Sequence, residues 1–256
     1  MYHRPRLIPT LLLHGQRLVK TIHFQERRYL GDPINTVKIF NDKGVDELCL
    51  LDIDASKEQR GPDFEYLQLI TSEAFMPLGY GGGITNVEQV QRILKLGFEK
   101  VIINTGFYKN NELIRDAVKI VGSQSIVVSI DVKNSLMGKY DCYIMGGNEK
   151  VKESPKVMAE MAQELGAGEI LLNSISHDGM MQGYDLKLVQ MISSSVTIPV
   201  IACGGAKDIF DMKQVLDAGA SAAAAGSMFV YYGKQKAVLI SVPKEEDLKK
   251  INIYSN

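Results

Sequence analysis

Eight short apolar runs recur along this chain at nearly regular spacing, and that alternation constrains its fold more than any other feature. The runs are RLIPTLLL (6–13), ELCLLDID (47–54), AFMPLGY (74–80), KVIIN (100–104), SIVVSID (125–131), EILLNSI (169–175), IPVIACG (198–204) and SAAAAGS (221–227). Most are apolar almost without interruption, the pattern of parallel strands covered on both faces. Between them lie segments such as PINTVKIFNDKGV, TNVEQVQRILKLGF, NELIRDAVKIVG, SPKVMAEMAQELGAG and DIFDMKQVLDAGA. Their apolar residues fall three and four apart, as on a helix with one buried face. Five of these segments meet glycine at Gly44, Gly97, Gly122, Gly166 and Gly219, a common helix stop. Strand-then-helix units repeated eight times predict an α/β chain folded as a (β/α)8 TIM barrel. A doubly wound open sheet is the alternative. It would want a GxGxxG turn after the first strand, and none is present.

An internal repeat strengthens the barrel. PLGYGGGI (77–84) resembles PVIACGGA (199–206), KVIINTGF (100–107) resembles SAAAAGSMF (221–229), and ELCLLDIDAS (47–56) resembles GEILLNSISH (168–177). The offset is about half the chain, too long for a solenoid period and suited to two half-barrels closing on each other. Laying the first strand over the fifth sets Arg6 on Ser125, Thr10 on Ser129 and Leu12 on Asp131. No linker rich in Pro, Ser or charge divides the halves, so residues 1–256 are expected to form one domain. The fifth unit carries the exception, a long βα loop at about 132–155 with a candidate hairpin at Gly146 and Gly147. Connections of that length are commonly functional.

Composition narrows the partners. A net charge of -1 argues against a general grip on nucleic acid or a membrane surface. Cys49, Cys142 and Cys203 are scattered and odd in number, and read as buried reduced thiols. His3, His14, His23 and His177 have no ligand-like spacing, so neither a metal nor a cofactor is expected. The apolar run near the N-terminus is too short to span a bilayer, and a cytoplasmic location is expected.

Barrel chemistry occurs where strand C-termini meet the βα loops. Gly81, Gly82 and Gly83 follow strand three, and Asn104 and Thr105 follow strand four. In the other half, Gly204 and Gly205 follow strand seven, and Gly226 and Ser227 follow strand eight, with Gly179 after strand six. Glycine lets backbone N–H groups approach a phosphate closely. Two matched sets on opposite rims point to a long ligand with a phosphate at each end, although each pair alone could simply make a tight turn. Asp131 ends strand five, Asp52 and Asp54 end strand two, and Asp178 follows strand six. Such acids can move protons when burial tunes them, and Asp52 and Asp178 could equally shape their loops. Lys20, in the first βα loop with Phe24, could close over a ligand. At the opposite end, Arg6, Glu47, Lys100 and Glu169 begin strands one, two, four and six. Their alternating signs converge on the barrel floor, as a salt-bridged plug or as a gate for something small.

The stretches GDPI, DELCLLDIDAS, YGGGI, EKVIINT, GSQSIVVSID, GAGEILLNSISHDGMMQGYD, IPVIACGGA and AAAAGSMF resemble, nearly end to end, the cyclase subunit of imidazole glycerol phosphate synthase. The resemblance implies a barrel of histidine biosynthesis paired with a glutaminase subunit. Ammonia released at the floor would pass up the axis to a bisphosphorylated ribulosyl aminoimidazole carboxamide. The products would be imidazole glycerol phosphate and an aminoimidazole carboxamide ribotide. It further implies that Arg6, Glu47, Lys100 and Glu169 are gate residues, which favours the gate over the plug. Gly82, Gly83, Asn104 and Thr105 match one phosphate site of the family. Gly179, Gly204, Gly205, Gly226 and Ser227 match the other. Lys20 matches the loop lysine, and Glu99 stands where the family has an aspartate facing the glutaminase.

The departure lies in strand one. The family carries an aspartate there as one of two catalytic acids, and this chain has Leu12; Asp131, the other acid, remains. A positioned acid or base contributes roughly 10²–10⁴-fold in rate, or about 3–5 kcal/mol of barrier. Asp54 replaces a threonine of the family and could serve in place of the lost acid, and Cys203 and Asn173 replace small hydroxyl residues. The combination resembles a paralogous branch that, with its own glutaminase, feeds ammonia to a separate amidotransferase of surface-polysaccharide sugars. Three functions are therefore expected to compete. The first is an ammonia-supplying paralogue, the second an authentic cyclase, and the third a non-catalytic phosphate-binding activator of a glutaminase.

Overall fold

The computed structural model describes residues 4–135 and 138–254. The chain opens with β1 (Arg6–His14), β2 (Arg17–Lys20), β3 (Arg28–Gly31) and α1 (Pro33–Asp42). It continues through β4 (Leu48–Asp52), α2 (Phe64–Thr71), β5 (Leu78–Gly81), α3 (Val87–Lys95) and β6 (Lys100–Ile103). Next come α4 (Thr105–Lys109), α5 (Glu112–Val121), β7 (Ile126–Asn134), β8 (Tyr140–Ile144) and β9 (Glu149–Lys150). Then α6 (Pro155–Glu164), β10 (Glu169–Ser174), α7 (Leu186–Ser193), β11 (Val200–Cys203), α8 (Ile209–Asp217) and β12 (Ala222–Ala225) complete the repeating units. The end of the chain adds α9 (Ser227–Val230), β13 (Tyr231–Tyr232), β14 (Ala237–Val238) and α10 (Glu245–Lys250).

Eight strands, β1, β4, β5, β6, β7, β10, β11 and β12, pair in parallel, and β12 returns to β1, so the sheet closes. This is the predicted (β/α)8 barrel. Closure removes the exposed edges on which strands aggregate. Side chains alternate between two dry layers. Outward-pointing Leu11, Leu48, Leu50, Val101, Val128 and Leu172 pack under the helices. Inward-pointing Ile8, Cys49, Ile102, Val127, Leu171 and Ala222 fill the axis as a second, smaller cluster. Both faces being dry explains why the sequence runs are continuous rather than alternating.

The helices begin where their sequence directs. Asp32, Asp63, Asn86, Ser154, Asp185 and Asp208 each accept a backbone N–H of the first turn, a cap worth ~1 kcal/mol. Pro33 and Pro155 occupy the first turn of α1 and α6, where no intrahelical N–H is needed. Strand three begins later than the run AFMPLGY predicts, at Leu78. The apolar residues before it belong to the turn after α2, and Phe75 is 87% exposed there.

Two connections at the top of the barrel carry extra strands. After β1 the chain folds back antiparallel through β2 and β3. After β7 it folds back through β8 and then β9, with the β8–β9 turn at Gly146 and Gly147, both at positive φ. Within this second connection Leu136 and Met137 lie outside the described residues, as does His3 at the start of the chain. No helix among the described residues is long and apolar enough to cross a membrane.

Candidate functional site

The alternation that fills the axis also decides which side chains reach the mouth. Counting upward by twos, β1 contributes Thr10 and Leu12, β7 contributes Ser129 and Asp131, and β10 and β11 contribute Asn173 and Cys203. All six line one cavity. Leu12 and Asp131 stand on strands four places apart around the eight-stranded ring, so they face each other across the opening. Leu12 is 8% exposed and supplies an apolar wall where the repeat has a carboxylate.

Asp131 is buried, and burial pushes its carboxyl up to about 7. The Ser129 hydroxyl donates to it at 3.3 Å and works against that rise, while the charge of Asp178 adds to it. An acid so poised can take or give a proton near neutrality. Cys203 shares the cavity, and burial pushes its thiol up to about 12, so it remains protonated.

Asp178 sits where the loop after β10 meets the loop after β2. Its carboxylate accepts from the Thr21 hydroxyl at 2.6 Å, from the backbone N–H of Phe24 at 3.2 Å and from Lys20 Nζ at 3.3 Å. Its own carbonyl accepts from the His23 N–H at 3.1 Å. Lys20 and Asp178 thus meet as a buried pair that ties the first loop over the mouth.

The two glycine sets lie on the cavity wall: Gly82, Gly83, Asn104 and Thr105 on one side, Gly179, Gly204, Gly205, Gly226 and Ser227 on the other. Two positions show why no side chain fits. A Cβ at Gly83 (φ 66°) would lie 2.3 Å from the Arg60 carbonyl oxygen. One at Gly205 (φ 108°) would lie 2.1 Å from that of Gly183. Asn104 Nδ2 donates to the Ser129 carbonyl at 3.0 Å, and the Thr105 hydroxyl accepts the Met145 N–H at 3.0 Å. The Ser227 hydroxyl is buried with no hydrogen-bond partner among the described residues, an unmet group that a ligand oxygen could satisfy.

The acids after β4 do not offer a replacement for the missing carboxylate. Asp52 lines the cavity but is clamped by Arg60 through two bonds of 2.7 and 2.9 Å, and it caps the N–H groups of Asp54 and Ala55. Asp54 pairs with His14, and Arg27 Nη2 donates to it at 2.5 Å. Burial would raise its pKa, but His14 and Arg27 prevail and hold it lower. Both partners lie outside the mouth lining, so the expectation that Asp54 could serve in place of the lost acid fails on geometry. These arrangements were not legible in sequence. Arg60 is a loop residue eight positions from its partner, and Arg27 lies on the first loop's own hairpin.

At the floor, Arg6 bridges Glu47 at 2.6 Å and Glu169 at 2.7 Å, and Lys100 bridges the same two carboxylates at 3.2 and 2.7 Å. The four charges form a closed ring of alternating sign. Beside it, Glu99, Gln124, Ser125 and Gly168 line an open concavity that also includes Lys100 and Glu169.

A family model described as "Histidine biosynthesis protein" matches residues 6–236. "Putative imidazole glycerol phosphate synthase subunit hisF2" of Pseudomonas aeruginosa is 47% identical over 251 residues, 98% of this chain and 99% of that protein. "Putative imidazole glycerol phosphate synthase subunit HisF" of Leptospira interrogans is 46% identical over 246 residues, 95% of this chain and 97% of that protein. "Imidazole glycerol phosphate synthase subunit HisF" of Alkaliphilus metalliredigens is 41% identical over 227 residues, 88% and 90% of the two chains. With a closed barrel, this mouth and matches of that extent, the chain belongs to the histidine biosynthesis protein family, among its HisF-type cyclase subunits of imidazole glycerol phosphate synthase.

Proposed function

We propose that this chain is the ammonia-receiving barrel of a two-subunit glutamine amidotransferase whose final acceptor is not the histidine precursor. A glutaminase subunit would dock at the floor, and nitrogen would pass the charged ring and rise along the axis to the mouth. The recipient would be a separate amidotransferase acting on a sugar of surface polysaccharide. The observation that carries this reading is the pairing of a complete ring at the floor with Leu12 facing Asp131 at the mouth. A cyclase that had lost both its substrate and its nitrogen source would have no use for the ring.

The ring can open without being dismantled. Lys100 can swing away while Arg6 continues to hold both Glu47 and Glu169, so the two carboxylates are never left together unpaired. The apolar layer above, with Cys49, Val127 and Ala222, suits a neutral passenger such as ammonia better than ammonium, because a buried cation there would find no partner. Relatives with numbered names, hisF2 and hisF3, support a branch alongside the histidine enzyme.

The test pairs genetics with isotope transfer. The unmodified gene should fail to support growth of a histidine auxotroph lacking its own cyclase. The complex with its glutaminase should move amide nitrogen from labelled glutamine into a sugar product despite excess unlabelled ammonia. Growth of the auxotroph would instead favour the cyclase, a reading supported by the near-neutral carboxyl of Asp131 and the two glycine cradles. Glutamine hydrolysis stimulated by phosphate ligands, with all ammonia appearing in bulk solvent, would favour the non-catalytic activator.

A further inference from the structure

The mouth holds more acceptors than donors on one wall. Asp131, 7% exposed, takes a side-chain hydrogen bond only from Ser129 among the described residues and has no cationic partner there. Asn173, 6% exposed, is its cross-strand neighbour, since β7 and β10 pair Asp131 with Asn173 in register. The two side chains therefore rise side by side from the same level of the barrel. Asn173 Oδ1 is buried without a hydrogen-bond partner among the described residues. Directly beneath, Leu171 pairs with Ser129, so the apolar axis ends at these two groups.

We propose that Asp131 and Asn173, with the Ser129 hydroxyl, form a holding subsite for ammonia at the top of the axis, where it is retained as ammonium before release into the mouth. The proposal rests on the reading that nitrogen enters along the axis, and it names where that nitrogen stops. A buried carboxyl and a buried amide on paired strands, the amide oxygen lying beside Gly204, call for a small ligand with several N–H donors that reaches both. Ammonium satisfies both at once, and a buried carboxylate gains most from a charged donor. Protons balance without a co-reactant. Ammonia arriving at the protonated carboxyl takes its proton to give an ammonium–carboxylate pair, and release of neutral ammonia returns that proton to Asp131.

The other titratable groups nearby do not compete. Lys20 is held by Asp178, and the Cys203 and Cys142 thiols are pushed up to about 12 by burial.

The test uses the full chain alone, with aspartate labelled at the side-chain carboxyl carbon. The Asp131 resonance is identified by its loss in Asp131→Asn. Ammonium chloride should shift that resonance saturably, while potassium chloride at equal ionic strength, a cation of similar size without N–H donors, should not. Asn173→Ala should weaken the ammonium response by about tenfold, one hydrogen bond's share, with the barrel's other aspartate resonances unmoved. Equal responses to ammonium and potassium would overturn the proposal, as would an unchanged titration in Asn173→Ala. This outcome is separable from the proposed function: ammonium binding here with no transfer of glutamine nitrogen in the complex would sink the delivery reading and leave the subsite standing.

Discussion

Replacing Asp178 by alanine should release the first loop from the mouth while leaving the barrel intact. The carboxylate accepts from Thr21, Phe24 and Lys20. Hydrogen bonds to a charged group contribute about 1.5–3 kcal/mol each, but these three share one acceptor and are not additive. The backbone bond from His23 to the Asp178 carbonyl survives the substitution. A net loss of ~3 kcal/mol for loop closure follows, which is about two orders of magnitude in the local opening equilibrium. Hydrogen exchange read residue by residue is the assay. The Phe24 amide, which donates directly to Asp178, should exchange about 100-fold faster. Amides in β5 and β6, which bond only within the sheet, should not change. Asp178→Asn keeps an acceptor for Thr21 but cannot neutralise Lys20, and should fall between. Unchanged protection at Phe24 in Asp178→Ala would refute the reasoning, since the loop would then be held by packing alone.

Other substitutions probe the rest of the site. Leu12→Asp should raise imidazole ring closure by roughly 10²–10⁴-fold over the unmodified chain, measured with the bisphosphorylated family substrate and ammonium salts; no gain with intact substrate binding would show that more than one acid has been lost. Arg60→Ala removes both bonds to Asp52 and so loosens the loop whose Arg60 backbone carbonyl abuts Gly83; the affinity for inorganic phosphate measured by calorimetry should fall by about tenfold or more. Asp131→Asn should change the dependence of stability on pH. The folded carboxyl titrates at about 7, above its ordinary unfolded value of about 3.9. The native state therefore keeps a proton that the unfolded chain has released, and stability of the unmodified protein falls as pH rises through that window. The variant should gain relative stability between about pH 4 and 7, to ~4 kcal/mol at most, and then level off; urea denaturation across that range would show a flat difference if the carboxyl were not burdened by burial.

The barrel was legible because parallel strands buried on both faces leave unbroken apolar runs, and because Gly97, Gly166 and Gly219 stand at positive φ just past α3, α6 and α8. Where a run misled, at residues 74–77, apolar side chains served a turn rather than a strand. The mouth was partly legible. Asp131, Asn173 and Cys203 fall on strand ends by counting, and the glycine doublets follow their strands. What the sequence concealed were pairings made across loops. The clamp of Arg60 on Asp52, the cluster of His14 and Arg27 around Asp54, and the three donors gathered by Asp178 depend on chain reversals in the first and second loops. The hairpin β2–β3 was invisible because its strands are four residues each, too short to display a period.

The ring at the floor is assembled from distant parts of the chain. Arg6, Glu47 and Lys100 belong to the amino-terminal half of the sequence, and only Glu169 comes from the carboxy-terminal half. An isolated first half would gather two cations around one anion and could not neutralise itself. Electroneutrality at the base is thus reached only when β12 has met β1 and β10 has met β7, which makes a charge-balanced floor the signature of a fully closed molecule.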